Sequence, residues 1–244
     1  QEFERWGKLL GQQLFDRDLV LNYTPQLPRT QPLELISRVD YGAEVQAPTS
    51  SLRFGAIAPS SWLARIGRRM GANGLPRFEA GDLVGILPPN SPVPRFYSLA
   101  SGSKDGFLEI CVRKQPGGLC SEMLHGLQVG ERIQAFIQAN PNFRPASGTA
   151  PVILVGAGTG IGPLAGFIRN NHDKRPIYLY WGGRDPASDF LYKPELDGYL
   201  ADHRLTQLRA AFSRIKDSGY VQNRVLEDAA QLREWIVGGG QILV

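Results

Sequence analysis

The chain has 244 residues, 42% of them hydrophobic and 20% charged, which is enough for two domains that each bury a core of their own. Its net charge of +4 comes from scattered basic residues and argues against nucleic-acid binding, and no apolar run approaches the roughly 18 residues of a membrane span. Two cysteines argue against a disulfide framework, and three widely separated histidines argue against zinc or haem, so we expect no metal site. We expect a cytoplasmic protein, or one at the cytoplasmic face of a membrane if a larger parent protein is anchored there.

The first 32 residues predict the end of a helix, near residues 3–15, and then a proline-rich linker over residues 23–32. A helix followed by such a linker is what the last element of a preceding flavodoxin-like domain would leave. An ordinary N-terminal arm that packs on the next domain fits the same pattern. The sequence leaves both interpretations open.

Residues 33–146 predict an antiparallel β-barrel. Turn signals separate six short strands, and one helix is expected near residues 120–127. The strands are expected near residues 33–39, 51–57, 83–87, 95–100, 107–113 and 132–137. Residues 60–75, between the second and third strands, are rich in arginine and indicate either a solvated amphipathic helix or a basic docking surface for an acidic flavodoxin-like partner.

Residues 147–244 predict an α/β domain with a doubly wound parallel sheet, because strands and helices alternate there. The expected strands lie near residues 151–155, 177–181, 205–212 and 241–244, and the expected helices near residues 163–171 and 222–237. The domain boundary is expected near residue 147. Since the chain ends where a further strand begins, we expect this sheet to be incomplete.

Residues 95–98 read Arg-Phe-Tyr-Ser and lie on a predicted barrel strand. Alternation places Arg95 and Tyr97 on one face of the strand. A guanidinium pairs well with a phosphate, and a phenol ring stacks on a flat ligand, so this face suits a ligand that carries both groups. A barrel strand with an ordinary solvent-facing arginine and tyrosine is the alternative.

A glycine-rich turn over residues 115–121 precedes a helix predicted for residues 122–127. Glycine allows a ligand to approach the backbone closely, Ser121 can cap the helix, and the first N–H groups of a helix favour an anion. A plain strand-to-helix turn is the alternative for this segment.

A second glycine-rich turn, residues 156–163, follows an apolar strand and opens a helix, which is the context that phosphate binding requires. Its spacing differs from the common dinucleotide fingerprint, because Ile161 stands where a third glycine belongs. No acidic residue ends the next strand, where Arg184 follows, and the third strand leads into Ser213 and Arg214. A hydroxyl and an arginine at this edge of a sheet suit a 2′-phosphate, so NADPH is preferred over NADH.

Taken in order, these motifs resemble the ferredoxin–NADP reductase family, and more narrowly the reductase half of diflavin enzymes such as the sulfite reductase flavoprotein. The resemblance covers residues 33–244 and rests on Arg95–Ser98, Gly118–Ser121, Gly158–Pro163, Gly183–Arg184 with Asp189–Tyr192, and Ser213–Arg214 with Tyr220–Gln222. It implies an NADPH-dependent flavoprotein oxidoreductase that takes a hydride onto FAD and passes electrons to an FMN domain, a flavodoxin or another one-electron acceptor. A non-catalytic flavin-binding scaffold or sensor is the alternative.

The resemblance also implies roles for individual residues. Arg95 and Ser121 would hold the FAD pyrophosphate, and Gly118 would give access to it. Tyr97 would stack on the isoalloxazine, and Ser98, the expected catalytic residue, would hydrogen-bond near its reactive nitrogen. The other residues expected at the FAD are Phe96, Cys111, Arg113, Leu119 and Cys120. Those expected at the NADPH are Gly158, Thr159, Gly160, Arg184, Ser213, Arg214, Tyr220 and Gln222.

The chain departs from the family pattern near Ser218 and at its end. Many NADPH-using relatives carry a basic residue two positions before the tyrosine, where this chain has Ser218, and Lys216 is the nearest substitute. Relatives also continue past the position of Val244 into a Cys-Gly pair, a helix and a terminal aromatic residue that complete the site. We therefore expect this chain to bind FAD but to reduce it slowly with NADPH.

Overall fold

The structure is a computed structural model that describes residues 29–57, 74–89 and 91–244, together with residues 5, 8, 9, 12 and 13. Those five isolated positions are helical. Most of the expected N-terminal helix and linker, and the arginine-rich part of residues 60–75, lie outside the described residues.

The first half of the described chain forms one six-stranded antiparallel sheet. Its strands are β1 (Gln31–Tyr41), β2 (Thr49–Ala56), β3 (Leu83–Leu87), β4 (Arg95–Ser98), β5 (Leu108–Arg113) and β6 (Arg132–Gln138). The strand order is β4-β3-β6-β1-β2-β5, and a bridge between Leu99 and Ile110 joins the two edges of the sheet. The predicted barrel is thereby confirmed, since such closure leaves no open edge. Inward-facing apolar side chains fill it, together with Leu124 of helix α1 (Leu119–Gly126).

The second half forms a four-stranded sheet in which all paired strands are parallel. Its strands are β7 (Val152–Ala157), β8 (Ile177–Gly183), β9 (Gln207–Phe212) and β10 (Gln241–Leu243), in the order β10-β7-β8-β9. Helices α2 (Ile161–Arg169) and α3 (Lys193–Ala201) pack on one face, and α4 (Val221–Glu227) and α5 (Ala229–Val237) on the other. Helices on both faces confirm the doubly wound α/β arrangement. Residue 147 lies in the segment between β6 and β7 and stays the proposed domain boundary.

The single helix predicted for residues 222–237 is wrong, because the structure has two helices that meet at Asp228. The Asp228 carboxylate accepts a hydrogen bond from the Tyr180 hydroxyl at 2.9 Å and lies 2.9 Å from Nε of Arg209. These contacts bind Asp228 to β8 and β9 and interrupt the helix. Helix α3 was not predicted, since only Leu196 and Tyr199 of its nine residues are buried and the apolar pattern is correspondingly weak.

The two sheets share part of one core. Ala80, Ala100 and Cys111 of the barrel pack in the same apolar cluster as α2 and the parallel sheet. None of the helices in the described part of the chain is long and apolar enough to cross a membrane.

Candidate functional site

Arg113, at the end of barrel strand β5, lies beside the predicted phosphate-binding glycines in the turn between β7 and α2. Gly158 has a φ of +52°, and its carbonyl accepts a hydrogen bond from Nε1 of Trp181 at 3.1 Å. A Cβ at Gly158 would lie 3.1 Å from Nη2 of Arg113, so the absence of a side chain allows this guanidinium to approach. The positive charge and the start of α2 together favour an anion at this turn.

A pocket of about 280 Å³ opens beside this turn, at the carboxyl ends of β7, β8 and β9. Ligands of doubly wound sheets bind at this edge. Of the residues predicted from the sequence, the pocket is lined by Arg113, Gly158, Thr159, Arg184, Ser213, Tyr220 and Gln222. Gly160 and Arg214, which were also expected at the NADPH, do not line this pocket.

Asp189 organises one wall of the pocket. Its carboxylate is 1% exposed and accepts hydrogen bonds from the backbone N–H groups of Arg184, at 2.9 Å, and Asp185, at 2.7 Å. Nη1 of Arg184 donates to the carbonyl of Val45 at 2.9 Å, in the turn between β1 and β2. Arg184 is therefore held at the rim of the pocket by both domains. The sequence analysis includes Asp189 in a family motif but predicts no role for it.

The turn after β9 is held in shape by side chains that the sequence did not single out for this purpose. Ser218 Oγ accepts a hydrogen bond from the Phe212 N–H at 2.9 Å, so this hydroxyl faces its own turn. Nη2 of Arg224 donates to the Ser218 carbonyl at 2.9 Å. The N–H of Arg214 donates to the Arg184 carbonyl at 2.8 Å, which ties the turns after β8 and β9 together. Arg224, which lies in the last turn of α4, was given no role by the sequence analysis.

On the barrel, the register of β4 separates the four residues of the Arg-Phe-Tyr-Ser motif as alternation predicts. Arg95 and Tyr97 pair with Ile86 and Val84, whose side chains are fully buried in the barrel. Phe96 belongs to the opposite face, where its ring meets the ring of Phe136 edge-on with centroids 5.8 Å apart. The structure thus keeps Phe96 away from the face that carries Arg95 and Tyr97.

Tyr97 contacts the start of helix α1. Burial and a hydrogen bond with the Cys120 thiol raise the pKa of Tyr97, so the phenol stays neutral. The first intrahelical bond runs from the Glu122 N–H to the Gly118 carbonyl at 2.9 Å, which leaves the earlier N–H groups of the helix without intrahelical partners. Leu119 is half exposed and Cys120 is buried. The aromatic ring and these N–H groups therefore lie side by side.

The expected capping role of Ser121 is wrong. Helix α1 begins at Leu119, three residues earlier than predicted, with Gly118 in the capping position. Ser121 therefore lies inside the first turn, where its hydroxyl accepts from the Gln115 N–H and donates to the Gly118 carbonyl, both at 3.1 Å. It stabilises the glycine turn instead of capping the helix.

Cys111 lies at the junction of the two domains, and Ser98 lies at the end of β4. Burial raises the pKa of the Cys111 thiol, which stays neutral, and its Cβ lies 3.2 Å from where a Cβ of Gly162 in α2 would be. Ser98 is half-buried at the end of β4, opposite Leu83. Cys111 is thus an interface residue between β5 and α2.

Comparison with known proteins agrees with this geometry. Residues 154–243 match the oxidoreductase NAD-binding domain family. The chain is 38% identical over 184 residues to the sulfite reductase [NADPH] flavoprotein alpha-component of Vibrio vulnificus, which covers 69% of this chain and 30% of that protein. The chain therefore spans about a third of the length of the curated relatives that it matches.

Solved structures share the two-domain fold. A ferredoxin-NADP+ reductase from Plasmodium falciparum with 2′P-AMP has a TM-score of 0.68 at 19% identity, covering 87% of this chain and 85% of that one. A cytochrome P450 reductase from Amycolatopsis has a TM-score of 0.64 at 25% identity, covering 82% of this chain and 59% of that one. The predicted fold and the family resemblance are thereby confirmed.

Proposed function

We propose that this chain, which resembles the ferredoxin–NADP reductase family in fold and the sulfite reductase flavoproteins in sequence, is the FAD- and NADPH-binding reductase module of a larger flavoprotein. In this proposal the module accepts a hydride from NADPH and passes electrons to an FMN domain, a flavodoxin or a similar one-electron acceptor. FAD supplies the conversion of a two-electron donor into single-electron steps. The protein contributes binding, orientation and charge.

The contact between Arg113 and Gly158 carries this proposal. Arg113 ends β5 of the barrel, and Gly158 begins the turn that leads into α2. The bridge from Leu99 to Ile110 joins the same β5 to the segment directly after Tyr97 and Ser98. The two predicted cofactor sites therefore adjoin across one strand, and such proximity is what transfer between two bound cofactors requires.

The residues at the start of α1 fit a flavin dinucleotide. Arg95 is exposed, and although its Nη1 donates to the Val93 carbonyl at 3.1 Å, its other guanidinium nitrogens have donors for a phosphate. The first N–H groups of α1 would offer donors to the same anion. Gly117 has a φ of +71°, which gives the turn a shape that a residue with a side chain rarely adopts. Tyr97 stays neutral beside Cys120 and is only partly buried against the barrel core, and in this proposal the part of its ring that is not buried stacks on the flavin.

The residues after β9 fit the adenosine end of NADPH. Ser213 and Tyr220 line the pocket, and Arg214 and Lys216 place two cations in the same turn. The Ser218 hydroxyl accepts the Phe212 N–H and so lies against its own turn, and unlike a basic residue at this position it brings no positive charge. We therefore assign recognition of a 2′-phosphate to Ser213 with Arg214 and Lys216.

The proposal is tested with the full-length protein. The protein is mixed with FAD and desalted, and its visible absorbance spectrum is recorded; binding of 2′-phospho-AMP is then measured by calorimetry. We expect retained flavin absorbance and a 2′-phospho-AMP affinity well above that for AMP. A colourless protein after desalting would overturn the flavin assignment, and retained flavin that NADPH never reduces would favour the scaffold or sensor alternative.

One pair of variants tests the FAD site directly. Arg95→Ala should raise the Kd for FAD about tenfold or more, because a hydrogen bond to a charged group contributes about 1.5–3 kcal/mol. Arg132→Ala removes another exposed arginine of the same barrel, one that pairs with Glu34, and should leave the Kd unchanged. Equal Kd values for both variants would remove Arg95 from the site.

A further inference from the structure

Glu109 is a fully buried carboxylate at the junction of the two domains. Within the barrel it accepts hydrogen bonds from Ser51 Oγ at 2.7 Å and from Nε of Arg53 at 3.2 Å. From the α/β domain it accepts a hydrogen bond from Nη2 of Arg169 at 2.9 Å. A buried carboxyl group needs such donors, because a buried polar group without hydrogen-bond partners is costly.

Arg169 is the last residue of α2, and it also reaches into the barrel. Its Nη1 donates to the Ala100 carbonyl at 2.7 Å, and its Nε donates to the Tyr199 hydroxyl of α3 at 3.1 Å. All three nitrogens of this guanidinium are thus engaged, two of them across the domain junction. Such a planar fork fixes direction as well as distance.

The register of β5 extends this contact along the whole of α2. Glu109, Cys111 and Arg113 alternate onto the face of β5 that meets the α/β domain, while the residues between them face the barrel core. Glu109 contacts the last residue of α2, Cys111 contacts Gly162 near its start, and Arg113 contacts Gly158 just before it. The strand and the helix therefore lie side by side, with the ion pair at one end and the phosphate-binding turn at the other.

We infer that Glu109 and Arg169 are positioning residues for the transfer between the two cofactors, an inference that rests on the proposed function. Their ion pair sets the position of α2 along β5. It thereby sets the position of the glycine turn relative to Arg113 and to the barrel face that carries Tyr97. Neither residue contacts a cofactor, and neither exchanges a proton in this role.

The ion pair is suited to orientation more than to stability. Apolar side chains of similar size often stabilise a buried junction as well as an ion pair does, but they permit sliding. Near the start of α2, Cys111 meets only Gly162, so no interlocking pair of side chains fixes that end of the helix along β5. A directional pair at the far end of α2 supplies the missing constraint.

The experiment compares Glu109→Gln and Arg169→Met with the wild type, in the larger flavoprotein of which this chain is proposed to be a module. FAD content and the Kd for 2′-phospho-AMP should change by less than about twofold, because each site keeps its own residues. The limiting rate of FAD reduction in anaerobic stopped flow should fall roughly ten- to a hundredfold, as expected for a small misplacement of bound reactants. Arg169→Lys, which keeps the charge but loses the fork, should give an intermediate rate.

The control is Asp40→Asn, which breaks an ion pair with Arg38 on barrel strand β1 whose carboxylate, unlike that of Glu109, is largely exposed. It should leave the limiting rate unchanged. A second readout needs no cofactor: hydrogen exchange of the apo protein should accelerate in β5 and in the first turn of α2 for Glu109→Gln, and not for Asp40→Asn. If Glu109→Gln does not fold, Arg169→Lys provides the same comparison.

The outcomes separate the two proposals. Variants that bind both ligands, reduce FAD at the wild-type rate and show unchanged exchange would overturn the positioning role. A wild type that binds neither FAD nor 2′-phospho-AMP would overturn the proposed function instead. In that case, accelerated hydrogen exchange in Glu109→Gln would still support the ion pair as the constraint on the position of α2. Unchanged hydrogen exchange would overturn that role of the ion pair.

Discussion

At the scale of single residues, glycines decide where charged groups meet in this protein. Gly158 adopts a φ of +52° and leaves room for the Arg113 guanidinium at the start of the nucleotide pocket. Gly130 also adopts a positive φ, +95°, but a Cβ there would meet nothing within 4 Å. A side chain added at either glycine would strain the backbone. Only at Gly158 would it also displace a neighbouring group, the Arg113 guanidinium.

We predict that Gly158→Ala and Gly130→Ala both lower the free energy of unfolding by about 1–2 kcal/mol, from the cost of a left-handed backbone for alanine. Only Gly158→Ala should also weaken binding of 2′-phospho-AMP, roughly tenfold, because it displaces a cation from the phosphate turn. Urea unfolding and titration calorimetry measure the two effects. Equal affinities in the two variants would show that Arg113 does not act on the nucleotide.

At the scale of secondary-structure elements, α2 is the helix that brings the domains together. Gly166, in its middle, allows the barrel to approach: a Cβ there would lie 2.7 Å from the Ala100 carbonyl oxygen and 2.7 Å from the Ala80 methyl group. Gly198, in the middle of α3, has open space at the same position. A glycine-to-alanine substitution would therefore be crowded at Gly166 and unhindered at Gly198.

We expect Gly198→Ala to raise the free energy of unfolding by about 1 kcal/mol, the difference in helix propensity between the two residues. Gly166→Ala has the same gain in propensity but forces α2 away from the barrel, so it should lower that free energy by about 1–3 kcal/mol. Thermal and urea unfolding provide the measurement. Stabilisation by both variants would contradict the close approach of α2 to the barrel.

At the scale of the whole molecule, the two domains are joined by apolar and ionic contacts at once. Barrel residues Ala80, Ala100 and Cys111 belong to the core of the parallel sheet, and Glu109 with Arg169 crosses the same junction. Arg184 adds a second link through the Val45 carbonyl, on the side of the nucleotide pocket. Separating the domains would expose apolar surface and leave a buried carboxylate without its partner.

The wild type should therefore unfold in a single cooperative transition despite its two sheets. Far-ultraviolet circular dichroism reports both domains, while tryptophan fluorescence reports the α/β domain through Trp181 and Trp235 once Trp6 and Trp62 are replaced by phenylalanine. The urea midpoints of the two signals should coincide. Clearly separated midpoints for the wild type would show that the domains unfold independently.

Local patterns predicted the elements well where each element depends on its own residues. The strands that contain Tyr97 and Cys111, and the turn at Gly158, lie where the apolar alternation and the glycines placed them. The predictions were wrong where a distant partner decides the outcome. Asp228 interrupts a helix because Tyr180 and Arg209 bind its carboxylate, and no pattern within the helix encodes those partners.

The assignment of cofactor roles to single residues stays a prediction. The structure gathers six of the residues expected at the NADPH around one pocket, together with Arg113, which was expected at the FAD. It also turns Phe96 onto Phe136 and engages Ser121 within its own turn. Alternation already indicated the first of these two placements. The second depended on where α1 begins, which a glycine-rich segment leaves open.

The sequence by itself determined the two-domain fold, the order of the motifs and the glycines that phosphate binding needs, because these depend on periodicity and on backbone freedom. Only the tertiary structure decided that Arg113 meets Gly158, that Glu109 meets Arg169, and that β5 lies along α2. Residues about 45 to 60 positions apart form these contacts. Their partners follow from the register between two domains, and local patterns carry no information about that register.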